Sequence, residues 1–196
     1  MNEIILTGYL RDIEFSHYQG EVEYEKANLI CPRLGGKEDD VISLRYKKLS
    51  NKYKEGDFIE ITGNIRSYSS KKADKNSVQI YVFTYFDRPE EVSTNLLNLD
   101  GRICKVDEVR YTKKGVPYVH FILANNIFTT DGKKINSYIP CVCYGDAVTK
   151  IIELGISAQI KISGEFHSHT YKKRLKNDEL EFRVAHDVTV KSIEEI

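Results

Sequence analysis

Apolar and polar residues alternate along most of the chain. Within 57–68, Ile59, Ile61, Gly63 and Ile65 face one way, and Glu60, Thr62, Asn64 and Arg66 face the other. A period of two marks a half-buried β-strand. The pattern predicts strands over residues 3–15, 22–31, 41–46, 57–68 and 77–86. Residues 47–54 are short and charged, and read as a turn or at most a brief helix. The succession then recurs, with strands over 98–111, 116–125, 133–144, 157–170 and 179–190 and a short helix over 146–153.

The recurrence is visible in the residues themselves. Ile61-Thr62-Gly63-Asn64-Ile65-Arg66-Ser67-Tyr68-Ser69-Ser70-Lys71-Lys72 parallels Ile162-Ser163-Gly164-Glu165-Phe166-His167-Ser168-His169-Thr170-Tyr171-Lys172-Lys173. Upstream, Leu6-Thr7-Gly8-Tyr9-Leu10 parallels Leu99-Asp100-Gly101-Arg102-Ile103. An internal duplication of this kind decides the architecture before any single motif does. We expect one domain over 1–87, a polar, proline-containing linker over 88–95, and a second domain over 96–196. Five strands with a small helix between the third and fourth is the element order of the OB-fold, a five-stranded Greek-key barrel. The fold class expected is therefore all-β, two tandem OB-folds. Gly8, Gly63, Gly101 and Gly164 fall inside strands, where they are expected to mark sharp bends or close backbone approaches.

Composition narrows the function. The 196 residues carry 29 Lys+Arg and 29 Asp+Glu, so a protein that coats nucleic acid by charge alone is disfavoured. Residues 1–93 hold 14 basic and 16 acidic residues, and residues 94–196 hold 15 and 13, which makes the second half the better partner for a polyanion. No apolar run suits a membrane span and the first residues do not read as a signal peptide, so the expected location is cytoplasmic, with no membrane partner. Of the four cysteines, Cys141 and Cys143 share a strand face and read as buried, reduced thiols; no zinc-ligand spacing, cofactor motif or catalytic motif is present. No metal, no cofactor and no enzymatic activity are expected.

What remains is aromatic usage: 13 Tyr and 8 Phe without a single Trp. With Phe121 and Leu123 inward, Tyr118 and His120 point outward; with Ala27 and Leu29 inward, Tyr24 points outward. Tyr68, Tyr81, His167 and His169 are expected on the same kind of outward face. Rings on such a face can stack unpaired bases without a high net charge. Cations cluster at the tips joining strands four and five: Arg66, Lys71, Lys72 and Lys75 in the first half, and Lys172, Lys173, Arg174 and Lys176, beside Tyr171, in the second. Arg110, Lys113 and Lys114 mark the turn joining strands one and two of the second half. In OB-folds these are the two nucleic-acid loops.

The second half also resembles a known family. Asn98-Leu99-Asp100-Gly101-Arg102-Ile103, Gly115 to Ala124, Ile139-Pro140-Cys141-Val142-Cys143-Tyr144-Gly145 and Gly155 to Gly164 are similar, in order and spacing, to bacterial single-stranded DNA-binding proteins and the related primosomal replication protein N. The resemblance implies stacking aromatics at Tyr138 and Tyr144, with Tyr46 at the later position in the first half and Asp40 near the earlier one. It implies a non-catalytic single-stranded DNA-binding protein of replication, repair or recombination. The partners implied are single-stranded DNA, replication or recombination proteins, and a second copy of the chain. Two alternatives stay open: an OB-fold adaptor that binds a replication protein with little DNA contact, and RNA binding on the same surface.

Overall fold

The computed structural model describes residues 1–33, 35, 38–48, 52–70, 77–86, 93–128, 132, 134–174 and 178–196, with the side chains of 68–70 and 77–86 left undescribed. The first half forms β1 (Asn2–Gln19), β2 (Val22–Cys31), β3 (Asp40–Lys47), β4 (Phe58–Ser70) and β5 (Ser77–Phe86). The second forms β6 (Asn95–Val106), β7 (Arg110–Tyr111), β8 (Pro117–Phe128), β9 (Lys134–Tyr144), α1 (Asp146–Leu154), β10 (Gln159–Arg174) and β11 (Leu180–Glu195). The expected strand over 98–111 is instead two pieces, because β6 bulges between Ile103 and Lys105 and pairing lapses over 107–109. No helix occurs among the described residues of 47–54.

Each half closes into a barrel. β1 pairs with β2 and β4, β2 with β3, β3 in parallel with β5, and β5 with β4. β6 pairs with β8 and β10, β8 with β9, β9 in parallel with β11, and β11 with β10. This is the OB-fold connectivity. The alternating sets fill the interiors: Ile59, Ile61 and Ile65 in the first barrel, and Val119, Phe121, Leu123, Ile139, Cys141 and Cys143 in the second, are all buried. Burial raises the Cys141 thiol well above its ordinary value and holds Cys143 at about 11, so both are protonated packing residues. Among the described residues no helix is long and apolar enough to cross a membrane.

Gly8 and Gly101 serve one purpose in both barrels. A Cβ on Gly8 would lie 2.6 Å from the Ile30 carbonyl oxygen, and one on Gly101 2.5 Å from that of Ala124. The bent first strand approaches the second too closely for any side chain.

The barrels join through β1 and β6, which pair antiparallel from Asn2↔Leu99 to Leu6↔Asn95. Ile4 pairs with Leu97, and these hold the same place ahead of Gly8 and Gly101. An approximate twofold therefore passes between them, making the contact isologous. Asn2 and Asn95 complete it. Asn2 takes the Ile65 N–H on Oδ1 and donates Nδ2 to the Ile65 carbonyl, both at 2.8 Å. Asn95 does the same to Phe166, both at 2.8 Å. Each amide replaces a backbone rung where its strand leaves its own barrel to pair across. The Asn2 amide also donates to Oδ1 of buried Asn125 at 2.8 Å, tying the first strand into the second barrel. Residues 88–92 of the expected linker lie outside the described residues, while Asn95 at its end already belongs to β6.

Candidate nucleic-acid interface

On β8 the odd residues 119–125 face the core, and on β9 the odd residues 137–143 do. The opposite face is left to four cross-strand pairs: Tyr118 with Tyr144, His120 with Val142, Ile122 with Pro140, and Ala124 with Tyr138. This is an apolar and aromatic strip about 20 Å long, at ~3.3 Å per strand residue, in which Val142 is buried between exposed Tyr138 and Tyr144. Tyr118 lies 5.7 Å from Tyr144 and 5.6 Å from His120, ring centre to ring centre. Tyr138 and Tyr144 are exposed by 52% and 45%. Partial burial, with Asp187 adding, raises the Tyr144 hydroxyl, so the ring stays neutral at working pH. Arg110 pairs with Tyr118 across β7–β8, and Lys113 and Lys114 sit exposed on the turn between them. Rings and cations thus meet at one end of the strip.

The first barrel presents a different surface. The parallel pairs Leu44↔Val82 and Cys141↔Val188 are equivalent, because Val82 faces Ile65 and Val188 faces Phe166 in the matching hairpins. Lys47 is therefore the counterpart of Tyr144, Val41 of Tyr138, and Tyr46 of Cys143. The likeness of Tyr46 to Tyr144 in sequence is one residue out of register, and a one-residue slip reverses the face. Tyr46 is accordingly a core residue, 3% exposed, and the outward position expected for it is corrected. Burial, with Glu25 adding, raises its hydroxyl far above the ordinary value. The outward strip here is Tyr24 with Lys47, Lys26 with Arg45, Asn28 with Ser43, and Ile30 with Val41. Tyr24 stacks on His17, ring centres 4.8 Å apart, and Lys26 reaches Glu14 at 2.8 Å.

Two reciprocal crossings link the strips to the opposite barrel. At one, the Tyr138 N–H donates to Ser67 Oγ at 2.7 Å and the Ser67 N–H to Ser137 Oγ at 3.3 Å. At the other, the Val41 N–H donates to Ser168 Oγ at 2.8 Å and the Ser168 N–H to Asp40 Oδ1 at 2.6 Å. Asp40 thus stands where the second barrel has Ser137, and a buried carboxylate demands partners. Arg33 and His167 supply them: Arg33 bridges the carboxylate and the Ser168 carbonyl, and His167 Nδ1 lies 2.8 Å from Oδ2. Burial opposes ionisation of Asp40, but hydrogen bonds from His167, Arg33 and the Ser168 N–H outweigh it and hold the group at about 2. The hydrogen bond to Asp40 raises His167 against the opposing effect of its burial. His167 is therefore half-buried in a cross-barrel network, which corrects its expected place on an open surface. His169 is exposed and lies 3.5 Å from Asp187.

Beyond Ser168, β10 and β11 continue as a projecting arm. Tyr171, Lys172, Lys173 and Arg174 are exposed on it. Lys176, Lys71, Lys72 and Lys75 lie outside the described residues, as do the side chains of Tyr68 and Tyr81. Arg66 is partly exposed at the base of the corresponding β4–β5 hairpin. The crossings were not visible in sequence; Asn2 and Asn95, at equal distances before Gly8 and Gly101, mark only the β1–β6 seam.

A protein-family model described as "another single-strand binding protein family" matches residues 95–186. The match falls on the second barrel. No curated protein matches the sequence. Among solved structures, the wild-type single-stranded DNA binding protein from Thermus aquaticus superposes with a TM-score of 0.71 at 16% identity, covering 100% of this chain and 93% of that one. Its deletion mutant gives 0.72 at 15%, covering 100% and 94%. At that identity the likeness speaks for the two-barrel fold. A PriB protein from Ralstonia solanacearum spans 53% of this chain, and 98% of its own, at 16% identity and a TM-score of 0.40. In the matched barrel, Tyr118, Tyr144 and Tyr138 occupy the outer face of β8–β9.

Proposed function

We propose that the protein binds single-stranded DNA without catalysis, each barrel being a domain divided from the other within 88–95, and that the second barrel is the principal platform. The observation that carries this is the strip from Tyr118/Tyr144 to Tyr138 on the barrel that the single-strand binding family model matches, with Arg110, Lys113 and Lys114 at its end. Unpaired bases stack on the rings and the cations neutralise phosphates. A duplex hides its base faces and is a poor ligand for such a strip. The protein acts in the cytoplasm, where replication, repair or recombination leaves strands unpaired.

Titrating oligo-dT and a duplex of equal length against the full chain tests this. Tyr118→Ala and Tyr144→Ala should each weaken single-strand binding by about 1–3 kcal/mol with the salt dependence nearly unchanged. Lys113→Ala and Lys114→Ala should instead lower the slope of log affinity against log salt by about 0.7 for each phosphate no longer neutralised. Equal affinity for duplex and single strand would refute the stacking mechanism.

A further inference from the structure

The connection from first strand to second carries opposite charge in the two barrels. In the first barrel it is the β1–β2 hairpin. Its residues 12–25 hold five acids, Asp12, Glu14, Glu21, Glu23 and Glu25, and no lysine or arginine. From the flanks, Lys26 reaches Glu14 at 2.8 Å and Lys48 reaches Glu23 at 2.9 Å. A register shift between Phe15 and His17 sets Phe15 opposite Glu25 and Tyr18 opposite Glu23, so two rings three residues apart share one face. The rings touch, 5.1 Å centre to centre, and are 53% and 64% exposed. In the second barrel the connection is the turn over 109–116, which holds Arg110, Lys113 and Lys114 and no acid. Beside these cations Tyr111 is 69% and Val116 41% exposed. The turn is preformed: the Thr112 N–H donates to the Val116 carbonyl and the Gly115 N–H to the Thr112 carbonyl, both at 2.9 Å.

We propose that the β1–β2 hairpin of one copy docks on the 109–116 turn of a second copy. Phe15 and Tyr18 cover Tyr111 and Val116, while the hairpin's acids face Arg110, Lys113 and Lys114. The exposed rings make the hairpin a surface, and its charge selects the occupant. Its acids repel a polyanion, so the rings are not a platform for bases, whereas a basic turn with apolar side chains of its own matches both features. The seam places the contact between copies. β1 runs on past Leu6 to Gln19 and β6 past Leu99 to Val106, and the two strands are antiparallel, so they leave the seam in opposite directions. Hairpin and turn therefore lie at opposite ends of one chain. Unlike patches meet, so the contact is heterologous, and copies add in an open row rather than closing as a pair. The three cations are those assigned above to phosphates. In this respect the inference rests on the single-strand reading: hairpin and strand compete for one turn, and the bound strand releases the neighbouring copy.

Sedimentation of the full chain without DNA, at about 50 mM and about 500 mM salt, reads the contact, because salt screens exposed charges. At the lower salt the average mass should keep rising with protein concentration, as an open row requires, and at the higher salt the association should weaken by at least about tenfold. Two double variants separate the patches: Tyr18→Ser with Glu21→Gln on the hairpin, and Lys113→Glu with Lys114→Glu on the turn. All four residues are exposed, so both variants should keep the wild-type circular dichroism and melting. Each alone should associate at least about tenfold more weakly than wild type. Mixed in equal amounts, one supplies an intact turn and the other an intact hairpin, and a one-to-one complex should form. No association of the wild type at the lower salt would overturn the docking, as would association that both variants leave unchanged. Loss in each variant without recovery in the mixture would overturn the pairing of hairpin with turn. Oligo-dT of about 8 nucleotides, which fills a single platform, should return the wild type to smaller mass. Binding of the oligonucleotide without that release would overturn the shared turn. Failure of the oligonucleotide to bind at all would refute the single-strand reading, while the mixing result would still decide the docking.

Discussion

Replacing Asn95 by alanine strips two hydrogen bonds from the seam between the barrels. The Phe166 N–H and carbonyl each lose a partner at 2.8 Å, and the phenyl ring beside them is fully buried. A buried backbone group left without a partner costs about 1–3 kcal/mol. Asn95 itself is only partly buried, so water reaches part of the gap, and the sum is about 3 kcal/mol. For a chain of this size that lowers Tm by roughly 6–12 °C. Asn95→Asp should also destabilise, because it keeps an acceptor for the Phe166 N–H but faces the carbonyl with a second oxygen. Leu96→Ala is the control: it alters the next residue, 58% exposed, and should change stability by no more than about 0.5 kcal/mol. Urea unfolding followed by circular dichroism measures all three. A loss under about 1 kcal/mol for Asn95→Ala would mean that its amide does not replace a ladder rung, and the pseudo-twofold account of the seam would fall with it.

Three further outcomes follow from packing and charge. Gly101→Ala puts a methyl 2.5 Å from the Ala124 carbonyl oxygen and should cost about 1–3 kcal/mol in thermal unfolding, whereas Gly115→Ala acts only through its positive φ of 76°, since nothing lies within 4 Å of its Cβ. Asp40, held at about 2, contributes stability that is complete above its ordinary value of about 3.9 and is lost as pH falls from there toward 2; Asp40→Asn should flatten that acid limb in pH-dependent unfolding. His167, raised by Asp40, contributes most below about 6.5 and loses this as pH rises through its folded value. His186, lowered by its burial, has the opposite sign, its contribution present above about 6.5 and lost below. The cost of His167→Gln should therefore be greater near pH 5.5 than near pH 9, as roughly read from those values, and a cost independent of pH would remove His167 from the Asp40 network.

The barrels were legible because strict alternation fixes which residues face inward, and Ile59-x-Ile61 and Phe121-x-Leu123 are buried as that rule requires. The strip of Tyr118, His120, Tyr138 and Tyr144 follows from the same rule. Tyr46 escaped it because two similar letters, Tyr46 and Tyr144, suggested an alignment that the pairing of Leu44 with Val82 forbids. Register is set by partners far away in the chain, not by the strand alone. His167 and Asp40 escaped for a related reason. Their meeting depends on how one barrel lies against the other, and nothing local to either residue announces it. The pairing of β1 with β6 was equally invisible, since both strands already have partners in their own barrels.

Because one polypeptide supplies both sides of the β1–β6 seam, the two barrels meet at a local concentration fixed by the chain, independent of how dilute the protein is. A self-associating barrel would have to carry every substitution at both ends of its twofold. Here each position exists once, so Asp40 could replace the counterpart of Ser137 at one crossing while the serine was kept at the other. Fusion thus uncouples the halves: one is free to keep the rings, the other to trade them for ions and a brace.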